Sequence, residues 1–343
     1  IFPPKAPTMT AMPTTKHAEP QWQAAAQAID GARSILLVSH IAPDGDAVGS
    51  LLGLSLPLKK AGKSVTAAID DGVPQELRFI PHSETVLPVV DAGEFDLLIT
   101  LDSSDLERIG CAGAYGMAHS KQVINLDHHP TNTRYGDIHL IVPEALAAVE
   151  IVYDFLDFLG ADISQATAFA LLTGLVTDTQ GFRISATNSR TLKIAQDLMG
   201  KGAPLSQIMA QTLNRRTYEE VELWKQALPS VRLQDGLIYA AVSQSDMRKA
   251  GLDKAGDGGM LSYLVTVDKA SVSIVFKELP KNEVEVGFRA KPGYDVASLA
   301  FQLGGGGHTL ASGCTMTGTL RQVQDIVLPL ARQTIADGSA SRE

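Results

Sequence analysis

The chain is predicted to be an α/β protein of two domains, an N-terminal parallel sheet with helices on both faces and a smaller C-terminal α/β domain, joined by a linker. Three observations predict it. From Gln21 to about residue 201, strand-length apolar runs alternate with helix-length segments. Three of those runs end directly on a histidine or an aspartate, and in open α/β sheets ligands collect at the carboxyl ends of the strands. Beyond Gly202 the alternation gives way to paired strands around short turns.

Taken in order, QWQAAAQAIDGA reads as a helix, ILLVS as a strand, AVGSLLGLSLPLKKAG as a helix and SVTAAID as a second strand. FDLLITL (95–101) and QVINL (122–126) are the next two strands, and they run into Asp102 and Asp127. Residues 143–177 read as two helices broken at Gly-Ala-Asp, with Asp178 just past the second, and a third helix covers about 188–200. Residues 202–229 are the linker, containing a connecting helix in NRRTYEEVELWKQ. The second domain, 230–343, opens with VRLQDGLIYAAVS, an Asp-Gly hairpin, and continues with ASVSIVFKEL and EVEVGFRA around the turn PKN. The first twenty residues hold five prolines and four threonines and are expected to be a disordered tail.

Composition excludes several classes. With 343 residues and 45% hydrophobic content the chain can bury a large core. A formal charge of -9 argues against a surface that tracks long duplex nucleic acid, while leaving room for a small anionic ligand in a local site. Cys111 and Cys314 are the only cysteines, so neither a disulfide framework nor a cysteine-rich zinc site is expected. There is no stretch long and apolar enough for a membrane span and no signal-peptide apolar region, so the expected setting is the cytoplasm, away from membranes.

Four short motifs carry the chemistry. In HIAPDGD, His40, Asp44 and Asp46 share a turn built around Pro43 and Gly45, which suits either one half of a metal site or a capped helix start. Asp102 closes LITL, His128 and His129 follow INLD, and Asp178 sits in TGLVTDTQ. Adjacent histidines point different ways, so one can ligate a metal while the other faces a substrate, with Asp127 able to orient an imidazole. If the four carboxylates converge, their repulsion requires about two divalent cations, and imidazole mixed with hard oxygens suits manganese, magnesium or iron. In the second domain, Gly305, Gly306 and Gly307 before His308 would let the backbone approach a phosphate or base, and Arg289 offers a charged fork for a terminal phosphate.

The sequence resembles the DHH phosphoesterase superfamily through HIAPDGD, LDSSD, LDHH and TGLVTDT, and through GFRAKPGYDVASLAFQLGGGGHTLASG in the second domain. Within it the chain looks most like the nanoRNase subgroup of bifunctional oligoribonucleases and 3'-phosphoadenosine 5'-phosphate phosphatases. The resemblance implies two divalent cations, manganese first, with one on His40, Asp44 and Asp102 and the other on Asp46, Asp102, His128 and Asp178. A water activated by both would then attack phosphorus. It implies further that His129 contacts the scissile phosphate, as charge stabiliser or proton carrier. The second domain would grip short oligonucleotides or nucleotide phosphates through Arg289, the glycines and His308. Cyclic or linear dinucleotide cleavage, pyrophosphate hydrolysis and a non-catalytic nucleotide sensor are the rival readings, and a homodimer is left open.

Overall fold

The computed structural model describes residues 19–252 and 256–340, and the chain divides into two units after Arg215. All but Glu19 and Pro20 of the expected tail lies outside the described residues. Those two open the first helix.

The first unit runs α1 (Glu19–Gly31), β1 (Ser34–Ser39), α2 (Gly45–Lys60), β2 (Ser64–Ala68), β3 (Leu97–Leu101), α3 (Gly110–His119), β4 (Val123–Asp127), β5 (Ile138–Ile141), α4 (Ala148–Phe158), α5 (Gln165–Asp178), α6 (Ser189–Gly200) and α7 (Leu205–Gln211). The five strands are parallel, in the order β2-β1-β3-β4-β5. Alternation along a strand explains why the runs read as continuously apolar. In β1, Ile35 and Leu37 join the larger core with α1, α2, α4 and α5, while Leu36 and Val38 join a second core under α3. The order reverses between β1 and β3, so their carboxyl ends flank a switch point.

Helices α2 and α5 pack against each other with glycine on each side of the contact. A Cβ on Gly49 would stand 2.6 Å from the Ala170 carbonyl, and one on Gly174 would meet Val149 Cγ1 at 2.6 Å and Asp46 Oδ1 at 2.9 Å. No ordinary side chain fits there, so backbone meets backbone.

Two boundaries differ from expectation. The helix expected from residue 143 begins five residues later, at Ala148, and β5 was not anticipated. The first part of the segment read as linker belongs to the first unit, with Ile208 of α7 in its core.

The second unit comprises α8 (Tyr218–Ala227), β6 (Arg232–Gln234), β7 (Leu237–Val242), α9 (Gln244–Lys249), α10 (Met260–Leu264), β8 (Val272–Leu279), β9 (Glu283–Ala290), α11 (Val296–Gln302), β10 (Gly306–His308), β11 (Ala311–Thr317) and α12 (Leu320–Ala340). Its six-stranded sheet has the order β10-β11-β9-β8-β7-β6, with only β7–β8 parallel. Both expected hairpins form: Asp235-Gly236 is a two-residue turn with positive φ at both positions, and Pro280-Lys281-Asn282 is a three-residue turn with positive φ at its last two. Val284, Val286 and Phe288 pack with α11 and α12 on one face, whereas Ile238, Val242 and Val275 pack with α8, α9 and α10 on the other. No helix among the described residues is long and apolar enough to cross a membrane.

Candidate active site

All six residues read as ligands come together at the carboxyl edge of the first sheet. His40 follows β1, Asp102 follows β3, His128 follows β4, Asp44 and Asp46 start α2, and Asp178 ends α5. Their donor atoms form two triads, His40–Asp44–Asp102 and Asp46–His128–Asp178, in each of which the atoms lie within 4.8 Å of one another. Asp102 adjoins both, with one carboxylate oxygen 3.4 Å from His40 Nε2 and the other 3.5 Å from His128 Nε2.

Each of these side chains is aimed by its surroundings. Asp44 caps α2, accepting from the amides of Asp46 and Ala47, while the same oxygen stands 3.9 Å from His40 Nε2. The capping and site readings of this turn therefore coexist. Asp46 is fully buried and accepts from the amides of Ala148 and Val149, so the positive end of α4 faces its charge. His128 Nδ1 lies 3.3 Å from the Ala145 carbonyl, a group that can only accept, which leaves Nε2 facing the carboxylates. Asp102 takes a left-handed backbone at φ 55, a conformation that costs about 1 kcal/mol or more and that aspartate tolerates better than most residues.

The electrostatics fit cations. Burial, followed by the negative charges of Asp44 and Asp102, pushes the Asp178 carboxyl up to about 8. Burial and three neighbouring aspartates raise Asp46 well above its usual range. Burial opposes charge on His128, but Asp102 outweighs it and lifts the imidazole to about 9. Asp102 is itself buried, yet His128 and His40 hold it well below the ordinary carboxylate range. Asp102 Oδ1 is buried with no hydrogen-bond partner among the described residues, and an unpartnered carboxylate oxygen between two triads suits a divalent cation.

His129 is held differently. Its Nδ1 lies 2.8 Å from Asp127 Oδ1, which also accepts from the His128 amide, while Asp127 Oδ2 accepts from Asn132 Nδ2 at 2.6 Å. Asp127 is fully buried with both oxygens engaged, so it serves as an orienting group. Asn132 was not anticipated. It also donates to the Ser103 carbonyl, tying the loop after β4 to the residue beside Asp102. The only sequence signal was its place five residues beyond Asp127. If the site binds divalent metal, Asn132→Leu is expected to lower turnover about tenfold or more while metal affinity changes little, and steady-state kinetics beside a metal titration check this.

In the second unit, Ala311 pairs with His308 on one side and with Arg289 on the other. Directly paired residues share a face, so His308 and Arg289 project from the same side of the sheet, two strands or about 10 Å apart. The next row of that face is Gly306, Gly313 and Gly287, a strip without side chains. Two of the glycines also have a structural reason. A Cβ on Gly305 would meet Cys314 Cβ at 2.5 Å and one on Gly307 would meet Ser312 Cα at 2.6 Å, so their own hairpin requires both. Gly306 alone of the three has nothing within 4 Å.

Comparison with known proteins agrees with this architecture. Residues 34–175 match the DHH family, N-terminal domain, and residues 234–337 match the DHHA1 domain. The chain is 34% identical to the bifunctional oligoribonuclease and PAP phosphatase NrnA of Thermus thermophilus, over 90% of this chain and 92% of that one. It is 23% identical to the cyclic-di-AMP phosphodiesterase GdpP of Geobacillus thermodenitrificans, over 88% of this chain but 46% of that larger protein. The crystal structure of an exopolyphosphatase-related protein from Bacteroides fragilis shares the fold, with a TM-score of 0.84 at 24% identity, covering 95% of this chain and 98% of that one. By its two matched domains and its likeness to NrnA across nearly its whole length, the chain belongs to the DHH family of phosphoesterases.

Proposed function

We propose that this phosphoesterase hydrolyses short oligoribonucleotides to mononucleotides, and 3'-phosphoadenosine 5'-phosphate to AMP, using two divalent cations, manganese foremost. The observation that carries the reading is the pair of triads joined at Asp102, its buried Oδ1 orphaned. His40, Asp44 and Asp102 would hold one cation, and Asp46, Asp102, His128 and Asp178 the other. Imidazole mixed with carboxylate oxygen suits Mn2+, with Mg2+ or another divalent metal as substitutes. When bound, such a pair supplies charge neutralisation at phosphate and a water acidic enough to yield a nucleophile near neutral pH.

The chain's own residues do the rest. His129 is about one-third exposed and engaged at Nδ1 by Asp127, which leaves Nε2 as the nitrogen that can donate to a phosphate oxygen or pass a proton to the leaving ribose oxygen. Asp127 and Asn132 hold that ring in one orientation. Arg289, Gly306 and His308 would bind the remainder of the substrate, with Gly305 and Gly307 shaping the hairpin that presents them. Few phosphate contacts are needed for a substrate of about two to five nucleotides, which agrees with the net charge of -9. The proposed setting is the cytoplasm.

The likeness to GdpP supports a second reading, cleavage of cyclic or linear dinucleotides. A substrate panel separates them: RNA dimers and pentamers, 3'-phosphoadenosine 5'-phosphate, cyclic di-AMP and pyrophosphate, each with Mn2+ and with chelator. Mononucleotide release from dimers, AMP release from the bisphosphate and loss of both on chelation are expected. Preferential turnover of cyclic di-AMP would replace the substrate assignment, and binding without any turnover would point to a sensor.

A further inference from the structure

We infer that Arg108 is a phosphate-binding residue of the catalytic unit, poised beside the first triad to take oxygens of the substrate. The inference rests on the phosphoesterase reading of that site. Arg108 lies in the segment between β3 and α3, and its backbone is pinned on both sides. Its amide donates to Asp105 Oδ1 at 3.0 Å, and its carbonyl accepts from the Ile41 amide at 2.8 Å. The residue is exposed, yet its guanidinium reaches the ring of His40, with Nη2 3.1 Å from Nδ1, on the side opposite the Nε2 that faces the carboxylates.

That contact does not satisfy the guanidinium. His40 Nδ1 also lies 2.8 Å from the Ile41 carbonyl. A carbonyl only accepts and a guanidinium only donates, so Nδ1 cannot serve both. If Nε2 gives its lone pair to a cation, the neutral ring carries its one proton on Nδ1, where it serves Ile41. The guanidinium then has no acceptor on the ring, and no carboxylate stands within ion-pair distance of it among the described residues. A permanently charged planar fork, held at the rim of a cation site and lacking an anion, matches two oxygens of one phosphate. The same fork could instead merely steady His40, and metal affinity distinguishes the two roles.

The test uses the full chain as wild type, Arg108→Gln and Arg108→Lys. Calorimetry would measure Mn2+ binding to chelator-treated protein and AMP binding to Mn2+-loaded protein, and kinetics on an RNA dimer would give KM and kcat. Arg108→Gln is expected to weaken AMP binding and raise KM by about ten- to a hundred-fold, with Mn2+ affinity and Tm unchanged. Arg108→Lys should recover part of the loss, since it keeps the charge and loses the fork. AMP affinity in Arg108→Gln within about twofold of wild type overturns the inference, as does a loss matched by an equal loss of Mn2+ affinity. If the wild type binds AMP but cleaves neither RNA dimers nor the bisphosphate, the substrate assignment falls while the AMP comparison still decides Arg108. Wild-type protein that does not bind AMP overturns both.

Discussion

Asp102→Asn is expected to leave the fold intact and remove all but about a thousandth of the turnover, or about 4 kcal/mol of transition-state stabilisation. Asparagine keeps the size of the side chain and accepts the left-handed backbone that Asp102 adopts, so the substitution isolates the charge. That charge is shared. One oxygen faces His40 and the other His128, so its loss is expected to weaken both proposed cation positions together. Removal of an outlying ligand such as Asp44, 58% exposed at the rim, touches one position only and is expected to cost less. Metal analysis should find about two Mn2+ per wild-type chain and at most one, more weakly held, in Asp102→Asn. A fully active Asp102→Asn enzyme would end the bridging assignment.

Stripping the metal should make thermal stability fall as pH rises from about 6 to 9. The Asp178 carboxyl, raised to about 8 by burial and by neighbouring aspartates, binds its proton more tightly in the folded chain than in the unfolded one. Its contribution is complete below the ordinary carboxylate range and is lost as pH climbs through about 8. His128 has the same sign: raised to about 9 against the cost of burial, chiefly by Asp102, it stabilises below its ordinary value and stops doing so as pH passes 9. Asp102 is shifted the other way, but its contribution is already complete above pH 4 and stays constant through this window. Divalent cations replace the departing protons, so added Mn2+ should raise Tm more at pH 9 than at pH 6. Saturation at a hundredfold excess over Kd gives about 3 kcal/mol, several degrees for a domain of this size. A chelated protein with a flat Tm across the window, unresponsive to Mn2+, would contradict the proposed site.

The parts of the site legible in the sequence are those where a buried strand stops on its functional residue. His40, Asp102 and His128 follow apolar runs directly, and a parallel sheet sends the ends of all such strands to one edge. What could not be read are contacts made across the fold. The alanine-rich segment from Pro143 looks helical by propensity, but its first residues form a loop instead. There the Ala145 carbonyl meets His128 and the start of α4 meets Asp46, so tertiary demand overrides propensity. Strand β5 is four residues long, too short for its pattern to stand out. Asn132 was passed over because its partners, Asp127 and Ser103, belong to two different strand ends, and its distance from Asp127 along the chain does not show that it ties them together. The common face of Arg289 and His308 depends on strand register, which hairpin turns set and composition does not reveal.

The glycine contact between α2 and α5 reaches beyond packing. Asp46 lies one turn before Gly49, and Asp178 one turn after Gly174, so the two carboxylates ride on helices whose spacing those glycines set. A single methyl group at either position must push the helices apart or displace the Val149 and Asp46 side chains. Mutational tolerance at these two core positions is therefore as narrow as at the ligands themselves. In a deep substitution scan they would score as active-site residues without touching metal or substrate.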